Sequence, residues 1–407
     1  MRSRSTISTD GREFIAIIAT CMAMAAISTD VMLPAFPEMR AEFGLAPDSN
    51  EISLVLTTFF FGLALGQVFY GPFSDRFGRK PMLYLGLGIY MVAAIGATFA
   101  TSLAATAAFR FVWGFGAAAP RSLAVAIVRD SYEGDRMAQA MSQIIAVFIL
   151  VPVFVPSLSA LALTFAPWRI VFWIPVVGAG LVSVWLLRMP ETLKAADRRS
   201  VGPRSLGRAF KVVVTTRETV AYGFGITLAY GVMFAYVASI QTIIETVYDR
   251  DELFPLLFGL IAVVLGLTSL LSGRLVATLG VRTVIIGAAV HFAAASAIFF
   301  LVAVAMDGEP PLWAFCVMVA AVLPGVAVII PTGNAAAMAP VPHVAGMAAA
   351  ALGTLATGGG ALLGAVVDAA FDGTVTPFAT GAVVYAGLTA VVIVWTATRT
   401  EAVVSAL

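Results

Sequence analysis

Three charged side chains interrupt long apolar stretches of this chain, and they are the residues best placed to do chemistry. Asp30 lies near the end of the first apolar run, and Arg110 and Arg121 lie in the fourth. An ionised carboxylate is costly in an apolar environment, so Asp30 must face a cavity, pair with a cation or take up a proton. Asp30 therefore offers proton exchange in competition with a ligand; the alternative is a carboxylate that caps or packs at a helix end.

The two arginines are expected to share one helix face. Eleven residues at about 100° each bring them within about 20° of each other, about 16 Å apart along the helix axis. That face is predicted to line a cavity. For Arg121, snorkelling of the side chain to the aqueous surface remains the alternative. Inside the cavity, Arg121 would favour neutral, zwitterionic or anionic ligands over plain cations.

Composition predicts an integral membrane protein. The chain is 60% hydrophobic and 12% charged, whereas soluble domains carry roughly 25% charged residues. It holds about twelve apolar stretches of about 20 residues, the length that crosses a bilayer as a helix. The fold class is therefore an all-α membrane protein with twelve transmembrane helices. Of its carboxylates, Glu51, Glu245 and Asp368 are expected to reach an aqueous edge, which leaves Asp30 within a span.

The longest polar stretch divides the chain into two halves. Residues 191–217 are predicted to form a cytoplasmic linker between six-span bundles at 1–190 and 218–407. A repeat supports this division, because the glycine pair Gly71 and Gly78 ends the second span and the pair Gly273 and Gly280 ends the eighth. An internal duplication is the favoured explanation, with chance in a glycine-rich chain as the alternative.

The distribution of Lys and Arg predicts the orientation. Most of the 24 basic residues fall in segments that share one face when successive spans alternate in direction. Only Arg40, Arg169 and Arg250 lie near the opposite, outer face. Both termini are therefore predicted to be cytoplasmic. The net charge of +1 hides this asymmetry, and nucleic-acid binding is disfavoured because no basic patch interleaved with aromatics lies outside the spans.

A compact charged turn is predicted between the second and third spans. Its glycines permit close backbone approach and positive φ, and its charged side chains require an aqueous face. The residues are Gly71, Asp75, Arg76, Gly78, Arg79 and Lys80.

This turn resembles the signature loop of the major facilitator superfamily, G-x-x-x-D-R-x-G-R-K, which joins the second and third spans on the cytoplasmic side. Further stretches resemble its bicyclomycin and chloramphenicol resistance (Bcr/CflA) branch of drug:proton antiporters. They are D-x-x-L-P-A-x-P at 30–37, G-Q-x-x-Y-G-P at 66–72, R-F-x-x-G at 110–114, and the stretches 129–130, 168–173, 190–193, 345–350 and 352–355. The branch's glycine-rich motif of the fifth span is absent at 151–160, so the direction of transport is less firmly implied than the fold.

The resemblance implies the major facilitator fold and alternating-access export of small amphipathic drugs in exchange for protons. It implies a monomer in the bacterial inner membrane whose partners are a small-molecule substrate, protons and the lipid bilayer. Arg110 matches an arginine tied to proton coupling in the family and would hold Asp30 ionised. Asp75 would contact the start of the eleventh span and Arg79 would reach Asp130, which together would hold the cytoplasmic side closed.

Stripes of aromatic and amide side chains are candidates for contacts with such a substrate. Aromatic contact tolerates many shapes, and each hydrogen bond adds orientation. Helix packing is the alternative for every member. The candidates are Thr57, Phe60 and Gln67 in the second span and Tyr230, Phe234 and Gln241 in the seventh.

Other functions are weighed against this one. Export of an endogenous metabolite, such as an amino-acid derivative or a polyamine, remains open. A membrane enzyme or sensor is disfavoured, since His291 and His343 have no second histidine or nucleophile at motif spacing. A channel is disfavoured because twin six-helix halves with a gating loop suit alternating access. Cys21 and Cys316 fall within spans and predict neither a disulfide nor a metal site, and no cofactor is expected beyond the proton gradient.

Overall fold

The chain is folded almost wholly as helices and their connecting turns in the computed structural model, which describes residues 7–9, 11–46, 49–132, 134–193, 198 and 203–404. The α-helices are α1 (Arg12–Asp30), α2 (Phe36–Phe43), α3 (Leu54–Phe77), α4 (Arg79–Thr98), α5 (Leu103–Ser131), α6 (Gly134–Leu163), α7 (Ile170–Trp185), α8 (Pro203–Thr215), α9 (Arg217–Thr246), α10 (Phe254–Ala305), α11 (Leu312–Met338), α12 (Ala345–Thr354), α13 (Gly360–Ala369) and α14 (Thr376–Val404).

Eleven helical segments of the described chain are long and apolar enough to cross a membrane. One of them, Asp251–Ala305, has 55 residues, more than twice the roughly 20 residues that one crossing needs. It is broken at Gly280, where φ is 80° and ψ is 154°. This segment therefore supplies two crossings, and the twelve predicted spans are confirmed.

The predicted repeat is visible in the backbone. Gly78 separates α3 from α4 with φ 105° and ψ 156°, close to the values at Gly280. Residues with a side chain rarely adopt this region, so glycine is required at both breaks. Two breaks of the same conformation at matching positions agree with an internal duplication.

The chain forms two compact units. Unit 1 comprises Met1–Pro47 and Leu54–Pro203, and unit 2 comprises Asp48–Ser53 and Arg204–Leu407. In unit 1, α3 and α4 pack on α5 and α1 packs on α6. In unit 2, α9 packs on α11, α13 and α14, and α10 packs on α11 and α14. The boundary at residues 203 and 204 falls inside the predicted linker 191–217.

The later part of that linker is helical. Val213 of α8 is buried in a cluster with Val341 and Ala348, which lie near the end of α11 and in α12. α8 is thereby attached to unit 2.

Candidate functional site

Asp30 ends α1 in unit 1 and is buried. Asp30 is only 6% exposed. The Thr29 hydroxyl donates a hydrogen bond to its Oδ1 at 2.9 Å. The neighbouring Ser159 of α6 donates to the carbonyl of Val31, which fixes the end of α1 against that helix. The carboxylate expected within a span is therefore placed in a packed interior and not at an exposed helix end.

Arg110 of α5 is completely buried beside the same end of α1. Its Nη1 donates to the Ser28 carbonyl at 3.0 Å and its Nε donates to the Val55 carbonyl at 3.2 Å. Arg110 thus ties α5 to both α1 and α3. Within the described chain, Nη2 has no hydrogen-bond partner, and Arg110 and Asp30 form no ion pair. Pairing of these two residues at another stage of a transport cycle stays a prediction.

Two aromatic rings lie against the Arg110 guanidinium. Its central carbon lies 4.3 Å from the ring centre of Phe59 and 4.6 Å from that of Trp113. Cation–π contacts of this kind help to offset the cost of burying an unpaired cation. The sequence interpretation missed both rings. Trp113 lies three residues after Arg110, on the same helix face, so the spacing carried a signal; Phe59 comes from another helix and carried none.

Closely approaching backbones bring these groups together. A Cβ on Gly62 would lie 1.9 Å from the Phe111 carbonyl oxygen, and one on Gly114 would lie 2.0 Å from the Phe59 carbonyl oxygen. α3 and α5 therefore cross where neither carries a side chain. This close approach sets the Val55 carbonyl and the Phe59 ring within reach of Arg110.

The other predicted contacts of unit 1 lie on α3 and α5. Thr57, Gln67 and Arg121 are partly buried, and Phe60 is buried. Among the described residues, Arg121 forms no ion pair. Their predicted roles in substrate binding stay predictions.

In unit 2, some residues of the predicted stripe on α9 pack against another helix, and one is a buried polar side chain. The rings of Tyr230 and Phe234 are 5.4 Å apart, and a Cβ on Gly360 would lie 2.6 Å from Tyr230 Cβ. Part of this face therefore packs on α13. Gln241 is 2% exposed, and its Oε1 has no hydrogen-bond partner in the described chain. A ligand role for the stripe stays a prediction.

The signature residues surround Arg79 at the start of α4. Its Nε bonds Asp130 Oδ2 at 2.7 Å, and its Nη1 bonds Asp75 Oδ1 and Ser74 Oγ, each at 2.6 Å. The contact between Arg79 and Asp130 has the geometry expected from the resemblance. Its gating role, and the predicted contact of Asp75 with the eleventh span, stay predictions. Ser74 was not predicted.

Glu191 caps the beginning of α4. Its carboxylate accepts hydrogen bonds from the backbone N–H groups of Arg79 at 3.0 Å and Lys80 at 3.1 Å, where the helix dipole favours an anion. The Lys80 ammonium donates to the carbonyls of Leu187 and Met189. The sequence interpretation noted Glu191 within a family motif but assigned it no role.

The charged turn is shorter than predicted. The turn was expected to begin at Gly71, but α3 continues to Phe77 and leaves only Gly78 as a break. Gly71 is helical with open space beside its Cα, so it supplies neither the close approach nor the positive φ that was expected of it. Arg76 is exposed and lies over the Phe77 ring at 5.1 Å.

Asp368 was wrongly expected to reach an aqueous edge. It is 3% exposed, because the side chains of Ser239 and Asn50 close over Oδ1, each at 2.9 Å, and Ser53 donates to Oδ2. Unit 2 therefore has a buried carboxylate of its own. Both cysteines are free, and no cluster of metal-ligating side chains occurs in the part of the chain that the structure describes.

Comparison with known proteins defines the class. Residues 18–365 match the family model of the Major Facilitator Superfamily. The chain belongs to this superfamily, and it is a multi-pass membrane transporter that takes small-molecule substrates and is not an enzyme.

Proteins with similar sequences occur in bacteria. The chain is 29% identical over 357 residues to the bicyclomycin resistance protein homolog of Haemophilus influenzae (strain ATCC 51907 / DSM 11121 / KW20 / Rd), covering 87% of this chain and 88% of the relative. It is 30% identical over 195 residues to the multidrug resistance protein MdtL of Escherichia coli O81 (strain ED1a), covering 46% of this chain and 49% of the relative. The predicted resemblance to drug antiporters of the superfamily is confirmed.

Solved structures share the fold. The human organic anion transporter MFSD10 (TETRAN) superposes with a TM-score of 0.71 at 18% identity, covering 95% of this chain and 99% of that one. The xylose transporter XylE of E. coli superposes with a TM-score of 0.70 at 12% identity, covering 94% of this chain and 96% of that one. These likenesses establish the major facilitator fold.

Proposed function

We propose that this transporter exports small amphipathic compounds of the chloramphenicol or bicyclomycin type in exchange for protons, by alternating access. In this proposal the protein is a monomer in the bacterial inner membrane with both termini in the cytoplasm. The similarity to a bicyclomycin resistance homolog over 87% of the chain supports the substrate class.

The observation that carries proton coupling is the burial of Asp30. A carboxylate in a packed membrane span is stabilised by protonation or by a cationic or hydrogen-bonding partner. Thr29 supplies one hydrogen bond, and Arg110 is held by the carbonyls of Ser28 and Val55. Asp30 therefore retains capacity to exchange a proton for a ligand contact, which is the coupling that an antiporter requires.

We expect Arg110 to support this coupling when it approaches Asp30 during the transport cycle. Its positive charge lies next to the helix that carries Asp30, bonded to a carbonyl two residues before it. A nearby cation favours the charged form of a carboxylate. Asp30 then releases its proton to the cytoplasm as the substrate binds, and takes up a proton from the opposite face when the substrate leaves, so that substrate and proton cross in opposite directions.

The proposal is tested by measuring accumulation of labelled chloramphenicol in efflux-deficient bacteria that express the wild type or Asp30→Asn. The wild type is expected to keep accumulation low, and both a protonophore and Asp30→Asn are expected to raise it. Asp372→Asn is the matched control, because Asp372 is exposed and bonds only locally to Thr374 in the described chain.

Each outcome has a consequence. Unchanged accumulation with the wild type present in the membrane would reject chloramphenicol as a substrate and favour export of an endogenous metabolite. Low accumulation that resists the protonophore would reject proton coupling. Equal loss of export in Asp30→Asn and Asp372→Asn would show that the assay reports damage common to both variants and would remove Asp30 from the mechanism.

A further inference from the structure

The buried carboxylate of Asp368 gathers three parts of unit 2 that are far apart in sequence. It lies near the end of α13 and accepts from Ser239 of α9 and from Asn50, each at 2.9 Å. Ser53 donates to its second oxygen. Asn50 also donates to the Asp368 backbone carbonyl at 3.1 Å. Two of these donors come from one short segment, the helical turn Asn50–Ser53.

This turn occupies a special position in the chain. Residues 49–53 pack as part of unit 2, whereas the described chain on either side, up to residue 46 and from Leu54, belongs to unit 1. The turn is held firmly, since Ile52 is 0% and Ser53 5% exposed. Glu51, between Asn50 and Ile52, is exposed. Five described residues from the first half of the sequence thereby belong to the second unit, directly before the first residue of α3.

The bonds that seat the turn depend on the two carboxylate oxygens of Asp368, both of which accept hydrogen bonds. Hydrogen bonds to an ionised carboxylate are roughly twice as strong as those between neutral groups. An asparagine in its place would keep the size of the side chain but present an amide NH2 group where one oxygen accepts now. The serine hydroxyl that faces this NH2 would then have to accept instead of donate, and the attachment of the turn would weaken.

We propose that Asp368 is a latch that seats the turn 50–53 on unit 2, and that the latch opens and closes during each transport cycle. The proposal rests on the alternating-access mechanism proposed above. Alternating access requires contacts that exist in one state and break in another. A small group of side-chain hydrogen bonds, located where the chain passes between units, meets that requirement better than apolar packing does.

The latch is tested by the accessibility of Ile52 to a membrane-impermeant thiol reagent. Ile52→Cys reports on the turn without altering any of the three donors, and Glu51→Cys is its exposed neighbour and control. Both are made in a chain whose Cys21 and Cys316 are replaced by Ala and whose export activity is checked first. Labelling is measured in right-side-out and inverted vesicles, and Glu51→Cys identifies the face on which the turn lies.

The expected results concern rates of labelling. In the presence of Asp368, the rate at Ile52→Cys should differ at least about threefold between vesicles with and without a proton gradient. Adding Asp368→Asn should raise the rate and remove its dependence on the gradient. Ser239→Ala should raise it by a smaller factor, because that variant removes one donor and keeps the carboxylate and its other two donors. The labelling rate at Glu51→Cys should be the same with and without the proton gradient and with and without Asp368→Asn or Ser239→Ala.

Several outcomes would overturn the latch. Labelling of Ile52→Cys that is slow and independent of the gradient, but fast with Asp368→Asn, would make Asp368 a permanent attachment. If neither Asp368→Asn nor Ser239→Ala changes the labelling rate, Asp368 does not hold the turn and the latch is rejected. If Asp368→Asn elutes as an aggregate in size-exclusion chromatography, two results still test the latch. They are the gradient dependence of the labelling rate at Ile52→Cys and the effect of Ser239→Ala on that rate. Because labelling needs no substrate, a gradient-dependent latch without chloramphenicol export would contradict the proposed substrate and not the latch.

Discussion

The Arg79 guanidinium and the Asp130 carboxylate form an ion pair that joins the start of α4 to the end of α5, with Nε 2.7 Å from Oδ2. Arg79 is 3% exposed and the side chain of Asp130 is 15% exposed. The pair is therefore shielded from solvent, and loss of either partner leaves a charge that the protein must accommodate.

This shielding predicts a loss of stability in Asp130→Asn. Hydrogen bonds to charged groups contribute about 1.5–3 kcal/mol, and the buried Arg79 would keep only Asp75 as a charged partner among the described residues. The melting temperature in detergent should fall, and Arg79→Ala combined with Asp130→Asn should cost less than the sum of the two single variants. Additive effects would show that the two residues do not interact. The exposed Asp372→Asn serves as the control.

The two glycines of the signature stretch are expected to respond differently to alanine. Gly78→Ala places a side chain at φ 105°, and its Cβ would lie 2.6 Å from the Glu191 carboxylate. Such backbone strain costs roughly 1–3 kcal/mol. Gly71→Ala meets open space within a helix and should leave the melting temperature unchanged or slightly higher, since alanine favours helix. Equal destabilisation by both would contradict this account.

The crossing of α3 and α5 predicts a second pair of glycine variants. Gly62→Ala would press on the Phe111 carbonyl, whereas Gly88→Ala on α4 meets nothing within 4 Å. Overpacking typically costs about 1–3 kcal/mol, and a clash with backbone should reach the upper end of that range. Thermal unfolding of Gly62→Ala should therefore occur at a lower temperature, with Gly88→Ala as the reference. A stable Gly62→Ala would show that the helices are less closely packed.

Arg121 is expected to shape the substrate profile. It is partly buried on α5, and a cation that lines the substrate path repels cationic ligands. Arg121→Ala should shift export toward cationic compounds relative to neutral ones, measured as the ratio of resistance to a lipophilic cation and to chloramphenicol. An unchanged ratio would place Arg121 at the membrane surface, in the snorkelled position.

The architecture follows directly from the sequence because a bilayer imposes simple rules. Apolar runs of about 20 residues become spans, and the glycine pattern already marked the breaks at Gly78 and Gly280. The pairing of Arg79 with Asp130 came from the resemblance to the family. In these cases a local pattern, or the family motif, contains the structural information.

Contacts between distant segments could not be predicted in the same way. Asp368 owes its burial to Asn50 and Ser53, more than 300 positions earlier in the chain. Arg110 is covered by Phe59 because α3 and α5 cross at glycines, and Glu191 reaches α4 from the far end of the unit's sequence. Each depends on how helices pack, which apolar periodicity does not encode. Buried polar groups were therefore the least predictable features.

Proton coupling through Asp30 is tested most directly in proteoliposomes that contain purified protein and a pH-sensitive dye. Addition of chloramphenicol down its gradient should move protons in the opposite direction, and Asp372→Asn should behave like the wild type. Asp30→Asn should abolish the pH change while exchange of labelled for unlabelled chloramphenicol continues. Substrate-driven proton movement that persists in Asp30→Asn would contradict the central role given to this carboxylate.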